Sequence, residues 1–257
     1  MTTPLESHKP EKAKILLIGA SGSGKTSQAA SLSLLPEIKK TWVASFDGGI
    51  GSMRATRKRL NADEASSKVD VDIYVETDRQ TPTAYRNFIK DLQEKSAADS
   101  GYDCVFLDNL TNLSRFVFWD IVAVNNLVDK KYGDTTFHMY RLLMDKLADV
   151  VTRSIAAPKF LVVSCLPAWE RDEQSGETFV FPDVEGKSTR QALPGWFDEM
   201  YYTTTSKSKD GKNVYQLLTQ PDGKYMAKTR WGSAVLKPVE ERNLGECTRA
   251  ILDYYKD

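Results

Sequence analysis

The feature that most constrains this sequence is the segment GASGSGKT at residues 19–26. An apolar run, KILLI at residues 14–18, precedes it, and a predicted helix at 25–34 follows it and ends before Pro36. Strand, glycine-rich loop and helix in this order form a phosphate-binding loop, because glycines let backbone N–H groups wrap around phosphate oxygens. The sequence therefore predicts a site for a nucleoside triphosphate.

The residue types in this loop suit separate roles toward a bound triphosphate. Lys25 is expected to reach the β- and γ-phosphates, and the Thr26 hydroxyl is expected to bind Mg²⁺. The start of the helix adds a field that favours anions. With ATP and Mg²⁺ as the predicted cofactors, the predicted binding residues are Gly19, Ala20, Ser21, Gly22, Ser23, Gly24, Lys25, Thr26 and Ser27.

A carboxylate at the end of a second apolar strand is needed to hold the magnesium shell. Asp108 ends the run DCVFLD at residues 103–108 and suits this role. The same side chain could instead cap the helix that is predicted to begin near Thr111. We predict that Thr26 and Asp108 are the metal-binding pair.

Strand-like and helix-like segments alternate along the first two thirds of the chain. This alternation predicts an α/β domain with a mostly parallel sheet flanked by helices. The predicted strands are 14–18, 41–46, 71–76, 103–108 and 159–164, and the later predicted helices are 83–96, 111–128 and 135–156.

The pattern changes after about residue 165. Strand-like segments at 177–184, 198–204, 213–219 and 224–230 are separated by turn sequences such as SKSKDGK and PDG, which predicts antiparallel strands at the sheet edge. We expect a flexible tail at 1–12 and one domain at 13–257. Within that domain we expect a mobile loop region at 165–196, edge strands at 197–236 and a helix at 239–256.

Composition and charge exclude several other classes of protein. The 35 basic and 35 acidic residues give a formal net charge of zero, which argues against a globally basic nucleic-acid binder but allows a local basic site. The three cysteines are widely spaced, which indicates reduced thiols rather than disulfides. Together with only two histidines, they argue against a zinc site. Without an apolar leader or a membrane-spanning run, we expect a cytoplasmic protein (host cytoplasm, if a phage encodes it) with no membrane contact.

Three groups of phosphate-loop proteins do not fit the sequence. The guanine-reading NKxD string of small GTPases is absent, and so is an LSGGQ-like signature of ABC transporters. A nucleoside monophosphate kinase would need an arginine-rich lid, whereas residues 165–196 contain only Arg171, Lys187 and Arg190 as basic residues.

Four motifs occur in a fixed order along the chain. They are GASGSGKT at 19–26, FDGGIGSM at 46–53, YDCVFLDNLT at 102–111, and LPGWFDEMYY at 193–202 with AKTRWG at 227–232. In this order they resemble the phage-type nucleotide-binding proteins of the RecA-like P-loop ATPase superfamily, a group associated with single-strand annealing and homologous recombination. The resemblance extends from about residue 13 to residue 236.

The resemblance implies a RecA-like P-loop NTPase core that hydrolyses ATP. It also implies that the protein self-associates into a ring or filament, with ATP at the subunit interfaces and activity only when assembled. Single-stranded DNA is the implied partner, and a single-strand-binding protein is a further candidate partner.

The resemblance also assigns roles outside the loop. Asp47 stands where RecA-like enzymes commonly carry a glutamate that polarises water. Its side chain is one methylene shorter than glutamate, which argues against fast hydrolysis of ATP. The alternative interpretation of Asp47 is an Asp-Gly turn. Lys228 and Arg230 match a strand-end pair that reaches a neighbour's ATP, with a solvated edge strand as the alternative. Ser164 corresponds to a polar sensor of the γ-phosphate. The predicted catalytic set is Lys25, Asp47, Asp108, Lys228 and Arg230.

Local groups of cations and aromatic residues are candidate contacts for single-stranded DNA. Each group could instead be a solvated face, and the acidic residues of 165–196 oppose a strong DNA groove. Phe116, Phe118 and Trp119 are predicted to pack in the core. The candidate groups are Arg54, Arg57, Lys58 and Arg59; Lys130, Lys131 and Tyr132; and Lys187 and Arg190 with Trp196.

Two other functions remain open on the same core. One is a helicase- or packaging-type DNA motor. The other is a nucleotide-dependent assembly module with little turnover, which the replacement of glutamate by Asp47 favours.

Overall fold

The computed structural model of the protein describes residues 12–61, 68–125, 137–171, 173, 176–211 and 213–256. Its first part alternates strands and helices, as predicted. These elements are β1 (Lys14–Ile18), α1 (Lys25–Ser31), β2 (Lys40–Ser45), α2 (Gly51–Arg59), β3 (Lys68–Ile73), α3 (Ala84–Lys95), β4 (Cys104–Asp108), α4 (Leu110–Val124), α5 (Phe137–Ala156) and β5 (Phe160–Cys165).

The second part contains a hairpin, edge strands and a closing helix. Its elements are β6 (Pro167–Arg171), β7 (Thr178–Pro182), α6 (Lys187–Ala192), β8 (Glu199–Lys207), β9 (Asn213–Leu218), β10 (Lys228–Thr229), β11 (Val239–Glu240) and α7 (Leu244–Tyr254). β6 and β7 pair with each other as a separate sheet.

The main sheet has the strand order β11-β9-β8-β1-β5-β4-β2-β3, and β10 pairs with β8 outside this path. Neighbouring strands from β8 to β3 are parallel, whereas β9, β10 and β11 join in antiparallel pairs. This topology confirms the predicted α/β fold with antiparallel strands at one edge. Because the parallel strands share one direction, their carboxyl ends lie along the same edge, where open α/β sheets bind ligands.

Apolar side chains cover both faces of this sheet. α3, α4 and α5 pack on one face, and α1, α2 and α7 pack on the other. Every residue of β1 and β4 is buried, as expected for central parallel strands. The predicted core positions of Phe116 and Phe118 are confirmed, and Trp119 packs at the margin of the same cluster. Cys104, Cys165 and Cys247 are buried free thiols.

The C-terminal helix is attached directly to the helix that follows the phosphate loop. The backbone N–H of Leu244 donates to the Gln28 side chain, and that of Gly245 donates to the Ser31 hydroxyl, both at 2.8 Å. A Cβ on Gly245 would lie 2.2 Å from the Ser31 carbonyl oxygen, so only glycine permits this approach. α7 therefore packs on α1 and supports it.

Among the described residues, no helix has the length and apolarity to cross a membrane.

Several predicted elements differ from the structure. β3 occupies 68–73 rather than 71–76, because it pairs only with β2 and the ladder ends where β2 ends, at Ser45. The strand predicted at 224–230 shrinks to β10, because β9 already occupies the adjoining edge of β8 from Tyr202 onward. The helix predicted at 239–256 begins only at Leu244, where Asn243 and Glu246 form a capping box.

Two expectations about the C-terminal part are corrected. β8 was expected among the antiparallel edge strands at 197–236, but it pairs in parallel with β1 and is antiparallel only to β9 and β10. Residues 165–196 were expected as a loop region, but they contain the β6–β7 hairpin, α6 and a 3₁₀ turn at Leu193–Trp196. The mobility of that region stays a prediction, and residues 1–11 of the expected tail lie outside the described residues.

Candidate functional site

The phosphate loop lies at the carboxyl edge of the sheet and connects β1 to α1. Gly22 and Gly24 adopt φ angles of +77° and +92°, in the left-handed region that favours glycine. Gly19 is required for space instead, since a Cβ there would lie 1.9 Å from Thr203 Oγ1. The glycines of the motif are thus explained by backbone conformation and by close packing.

Both strands that neighbour β1 hold the loop. On the β8 side, the hydroxyls of Ser23 and Thr203 share a hydrogen bond of 2.5 Å, and Thr203 Oγ1 also donates to the carbonyl of Ile18. On the β5 side, the Gly19 N–H donates to the carbonyl of Cys165 at 3.2 Å. The curved path of the loop is therefore fixed from two directions. Thr203 could not be predicted as a site residue, because nothing in the local sequence marks a contact across 180 residues.

Lys25 is buried within the loop that it closes. Its ammonium group donates to the carbonyls of Gly19 at 2.6 Å and Ala20 at 2.9 Å. Burial lowers the pKa of Lys25, while the nearby acidic groups, Asp108 first, oppose that shift. A phosphate that entered the loop would offer charged acceptors in place of these two carbonyl groups.

Asp108 is the buried acidic centre of the site, with only 4% of its surface exposed. One carboxylate oxygen accepts a hydrogen bond from Thr26 Oγ1 at 2.8 Å, and the other accepts from Ser164 Oγ at 2.5 Å. Burial raises the pKa of this carboxyl group, and the two hydroxyl donors oppose the rise. The structure thus brings Asp108 together with Thr26, its predicted partner at the metal, and with Ser164, the predicted sensor of the γ-phosphate. The carboxylate of Asp108 and the hydroxyl of Thr26 offer hard oxygen atoms, the type of ligand that Mg²⁺ prefers.

The capping alternative for Asp108 is not supported, because its neighbour performs that role. Asn109 is the N-cap of α4, and its side-chain oxygen accepts from the Asn112 N–H at 2.9 Å. Its amide nitrogen donates to Asp47 Oδ2, also at 2.9 Å. Asn109 therefore links the ends of β4 and β2. Asn109 is not among the site residues predicted from the sequence, although its position directly after Asp108 at a strand end is a signal for such a role.

Asp47 is exposed at the end of β2. Besides the contact with Asn109, its Oδ1 accepts from the Gly49 N–H at 2.8 Å, which is the turn that the alternative interpretation expected. The two interpretations are compatible, since the turn and the amide together fix the orientation of the carboxylate. Its role toward water stays a prediction.

Lys228 and Arg230 do not approach the loop of their own chain. Lys228 pairs with Met200, which pairs with Leu16 of β1, and the chain then runs away from the loop toward the start of β1. Arg230 forms a salt bridge of 3.1 Å with Asp198, and its backbone N–H donates to buried Glu199. Burial lowers the pKa of Lys228, and neighbouring Arg230 lowers it further.

The candidate DNA contacts differ in how exposed they are. On α2, Arg54, Lys58 and Arg59 are exposed and Arg57 is half-buried. Arg190 is engaged by Glu170 at 2.8 Å and by the Val184 carbonyl, although Lys187 on the same helix is exposed. Trp196 packs against the core. The group formed by Lys130, Lys131 and Tyr132 lies outside the described residues.

A parallel sheet with this phosphate loop after its β1 strand, and with a buried aspartate beside the loop, defines the protein as a P-loop ATPase. The chain belongs to a family described as an AAA domain, which it matches over residues 11–231. No curated protein matches the chain.

Two solved structures are among those to which the chain is similar. One is a prototypical ATPase from the type III secretion system of pathogenic bacteria, with 13% identity and a TM-score of 0.47 over 95% of this chain and 62% of that one. The other is the assembled ATPase EscN from the type III secretion system of enteropathogenic E. coli, with 14% identity and a TM-score of 0.46 over 75% of this chain and 43% of that one. The chain thus spans less than two thirds of either protein.

The contact between Thr203 and the loop yields a prediction for stability. Thr203→Val keeps the shape of the side chain but leaves the buried Ser23 hydroxyl without this partner, so we expect the free energy of unfolding to fall by about 1–2 kcal/mol. Denaturant unfolding measures the change. Thr205→Val, at an exposed position on the same strand, is the control and should stay within about 0.5 kcal/mol of the wild type. Equal effects of the two variants would show that the hydroxyl contact does not hold the loop.

Proposed function

We propose that this P-loop ATPase binds Mg²⁺·ATP through residues 19–27, hydrolyses it at sites shared between subunits, and acts on single-stranded DNA in annealing or recombination. The observation that carries the proposal is the contact of Asp108 with Thr26 and Ser164, directly beside the loop that contains Lys25. Hydroxyl and carboxylate oxygens at the mouth of a phosphate loop suit a metal-bound triphosphate.

The loop, Asp108 and Ser164 have separate roles toward the bound nucleotide. The backbone N–H groups between Gly19 and Thr26 bind phosphate oxygens, and Lys25 exchanges its contacts with loop carbonyls for the β- and γ-phosphates. Thr26 and Asp108 hold Mg²⁺, which when bound neutralises charge on the phosphates. Ser164, which is hydrogen-bonded to Asp108, is the candidate sensor of the γ-phosphate.

Asp47 is the candidate residue for orienting the attacking water. Asn109 and the Gly49 N–H fix its carboxylate, so the group is positioned before any substrate binds. A fixed carboxylate at the carboxyl end of a parallel strand can accept a hydrogen bond from water and align it. Because the side chain is exposed and one methylene shorter than glutamate, a nucleotide-dependent assembly module with little turnover is the second candidate function.

The position of Arg230 supports catalysis in trans. It lies toward the opposite end of β1 from its own phosphate loop, so only another subunit's ATP is available to it. Its salt bridge with Asp198 is solvent-exposed on the arginine side, with 55% of the side chain accessible. Exposed ion pairs of this kind contribute about 1 kcal/mol or less, so Arg230 could leave Asp198 to stabilise a neighbour's phosphate.

The exposed cations of α2 support contact with DNA. α2 begins four residues after Asp47 and packs against α1, the helix of the phosphate loop. A phosphate backbone bound along Arg54 and Lys58 would therefore lie close to the catalytic edge of the sheet. The resemblance to recombination proteins points to the same partner.

Catalysis in trans predicts that two inactive variants restore each other. Lys25→Ala removes the phosphate contact but keeps Arg230, whereas Arg230→Ala keeps the loop. A mixture of the two contains interfaces with an intact loop and an intact arginine. If the subunits mix at random in equal amounts, about one interface in four has both, so we expect ATP turnover to recover toward about a quarter of the wild-type rate. Phosphate release measures the turnover.

The double variant Lys25→Ala/Arg230→Ala is the control for residual activity. Mixed with either single variant, it forms no interface that has both an intact loop and an intact arginine, so turnover should not recover. Lys39 is exposed and its side chain has no assigned role, so Lys39→Ala should retain wild-type turnover. No recovery in the mixture of the single variants, under conditions where they co-assemble, would contradict action of Arg230 in trans.

The DNA part of the proposal predicts that single-stranded DNA raises ATP turnover. Arg54→Ala/Lys58→Ala removes two exposed cations, so we expect the DNA concentration for half-maximal stimulation to rise on the order of tenfold at moderate salt. Turnover without DNA should stay near the wild-type value. The matched control, Lys39→Ala/Lys90→Ala, removes two exposed cations elsewhere and should respond to DNA like the wild type. If DNA neither binds nor stimulates the wild type, the recombination function is wrong.

A further inference from the structure

The phosphate loop has two flanks, because β1 lies between β5 and β8. The β5 flank carries Ser164, and beyond it lie Asp108 and Asp47, the groups assigned to the metal and the γ-phosphate. A nucleoside triphosphate is elongated, and its base lies at the end opposite the γ-phosphate. With the γ-phosphate on the β5 flank, the base is directed toward β8 and β9.

An aromatic side chain of β9 lies at this second flank. Tyr215 pairs with Thr205 of β8, two residues beyond the Thr203 hydroxyl that contacts the loop. Its ring packs against Gly24: a Cβ built on Gly24 would lie 2.9 Å from Tyr215 Cδ1 and 3.3 Å from Cε1. Tyr215 nevertheless keeps 38% of its surface exposed. Part of the ring therefore contacts the loop, and part is open to a ligand.

We propose that Tyr215 is the platform on which the base of the bound nucleotide stacks. The proposal rests on the nucleotide-binding function proposed above and adds a residue that none of the sequence motifs contains. Stacking uses the π-face that every base presents, and a fused purine ring covers more of a tyrosine than a pyrimidine does. The ligand class is therefore a purine nucleoside triphosphate, with the phosphates in the loop and the base on Tyr215.

The packing of the Tyr215 ring against Gly24 ties the proposed base-binding surface to the phosphate loop. Gly24 has a left-handed φ of +92°, so a side chain there would be strained and would also strike the ring. The backbone of the loop and the ring of Tyr215 consequently lie in direct contact. A base on Tyr215 would be adjacent to the loop that holds its own phosphates.

Two ligands separate a base-stacking role from a role in shaping the loop. Magnesium-bound ATP carries a base, whereas magnesium-bound inorganic tripolyphosphate has the phosphates alone. Calorimetry of both ligands should show that Tyr215→Ala weakens ATP binding about tenfold and leaves tripolyphosphate binding unchanged. Tyr215→Phe should bind both ligands like the wild type, because the ring and not the hydroxyl supplies the contact. Tyr254→Ala, which removes an exposed tyrosine from α7, is the matched control and should change neither affinity.

Two results would overturn the proposal. Wild-type affinity of Tyr215→Ala for ATP would exclude stacking, and an equal loss for ATP and tripolyphosphate would show that the ring only supports the loop. Thermal unfolding of the variants checks that each is folded. Failure of the proposed function has a different signature, since the wild type would then bind neither ATP nor tripolyphosphate.

Discussion

The hydrogen bonds accepted by the buried Asp108 carboxylate hold the parts of the candidate site together. By accepting from Thr26 and Ser164, it joins β4 to the first turn of α1 and to the end of β5. Burial raises its pKa, which means that the folded protein disfavours the charge that the carboxylate carries. A pKa shifted by burial is typical of a functional site, and a Mg²⁺ ion bound beside Asp108 would favour the charged form of its carboxylate.

The phosphate loop lies between two flanks with different chemistry. The β5 flank gathers oxygen ligands and, through Asn109, the carboxylate of Asp47. The β8 flank holds the loop through Thr203 and places Tyr215 against Gly24. α2 and α7 both pack against α1, the helix that follows the phosphate loop. The formal net charge of the chain is zero, but acidic residues gather beside the loop and basic residues gather on α2.

The sequence allowed prediction of the features that depend on local pattern, and not of those that depend on pairing. Buried strands, the glycine loop and Asp108 were predictable because apolar runs, loop glycines and a strand-end carboxylate are visible in short segments. Thr203 and Tyr215 were not, since they reach the loop only when β8 and β9 join the sheet. The extent of β3 depends on the length of β2, and the β6–β7 hairpin depends on a pairing that charged and proline-containing segments do not indicate.

Calorimetric titration with Mg²⁺·ATP measures whether residues 19–26 bind the phosphates of ATP with help from Asp108. We expect saturable binding at one site per chain for the wild type and for Lys39→Ala. Lys25→Ala should bind at least about a hundredfold more weakly, because the buried ammonium is the charged group of the loop. Equal affinity of Lys25→Ala and the wild type for ATP would show that this loop does not bind the phosphates.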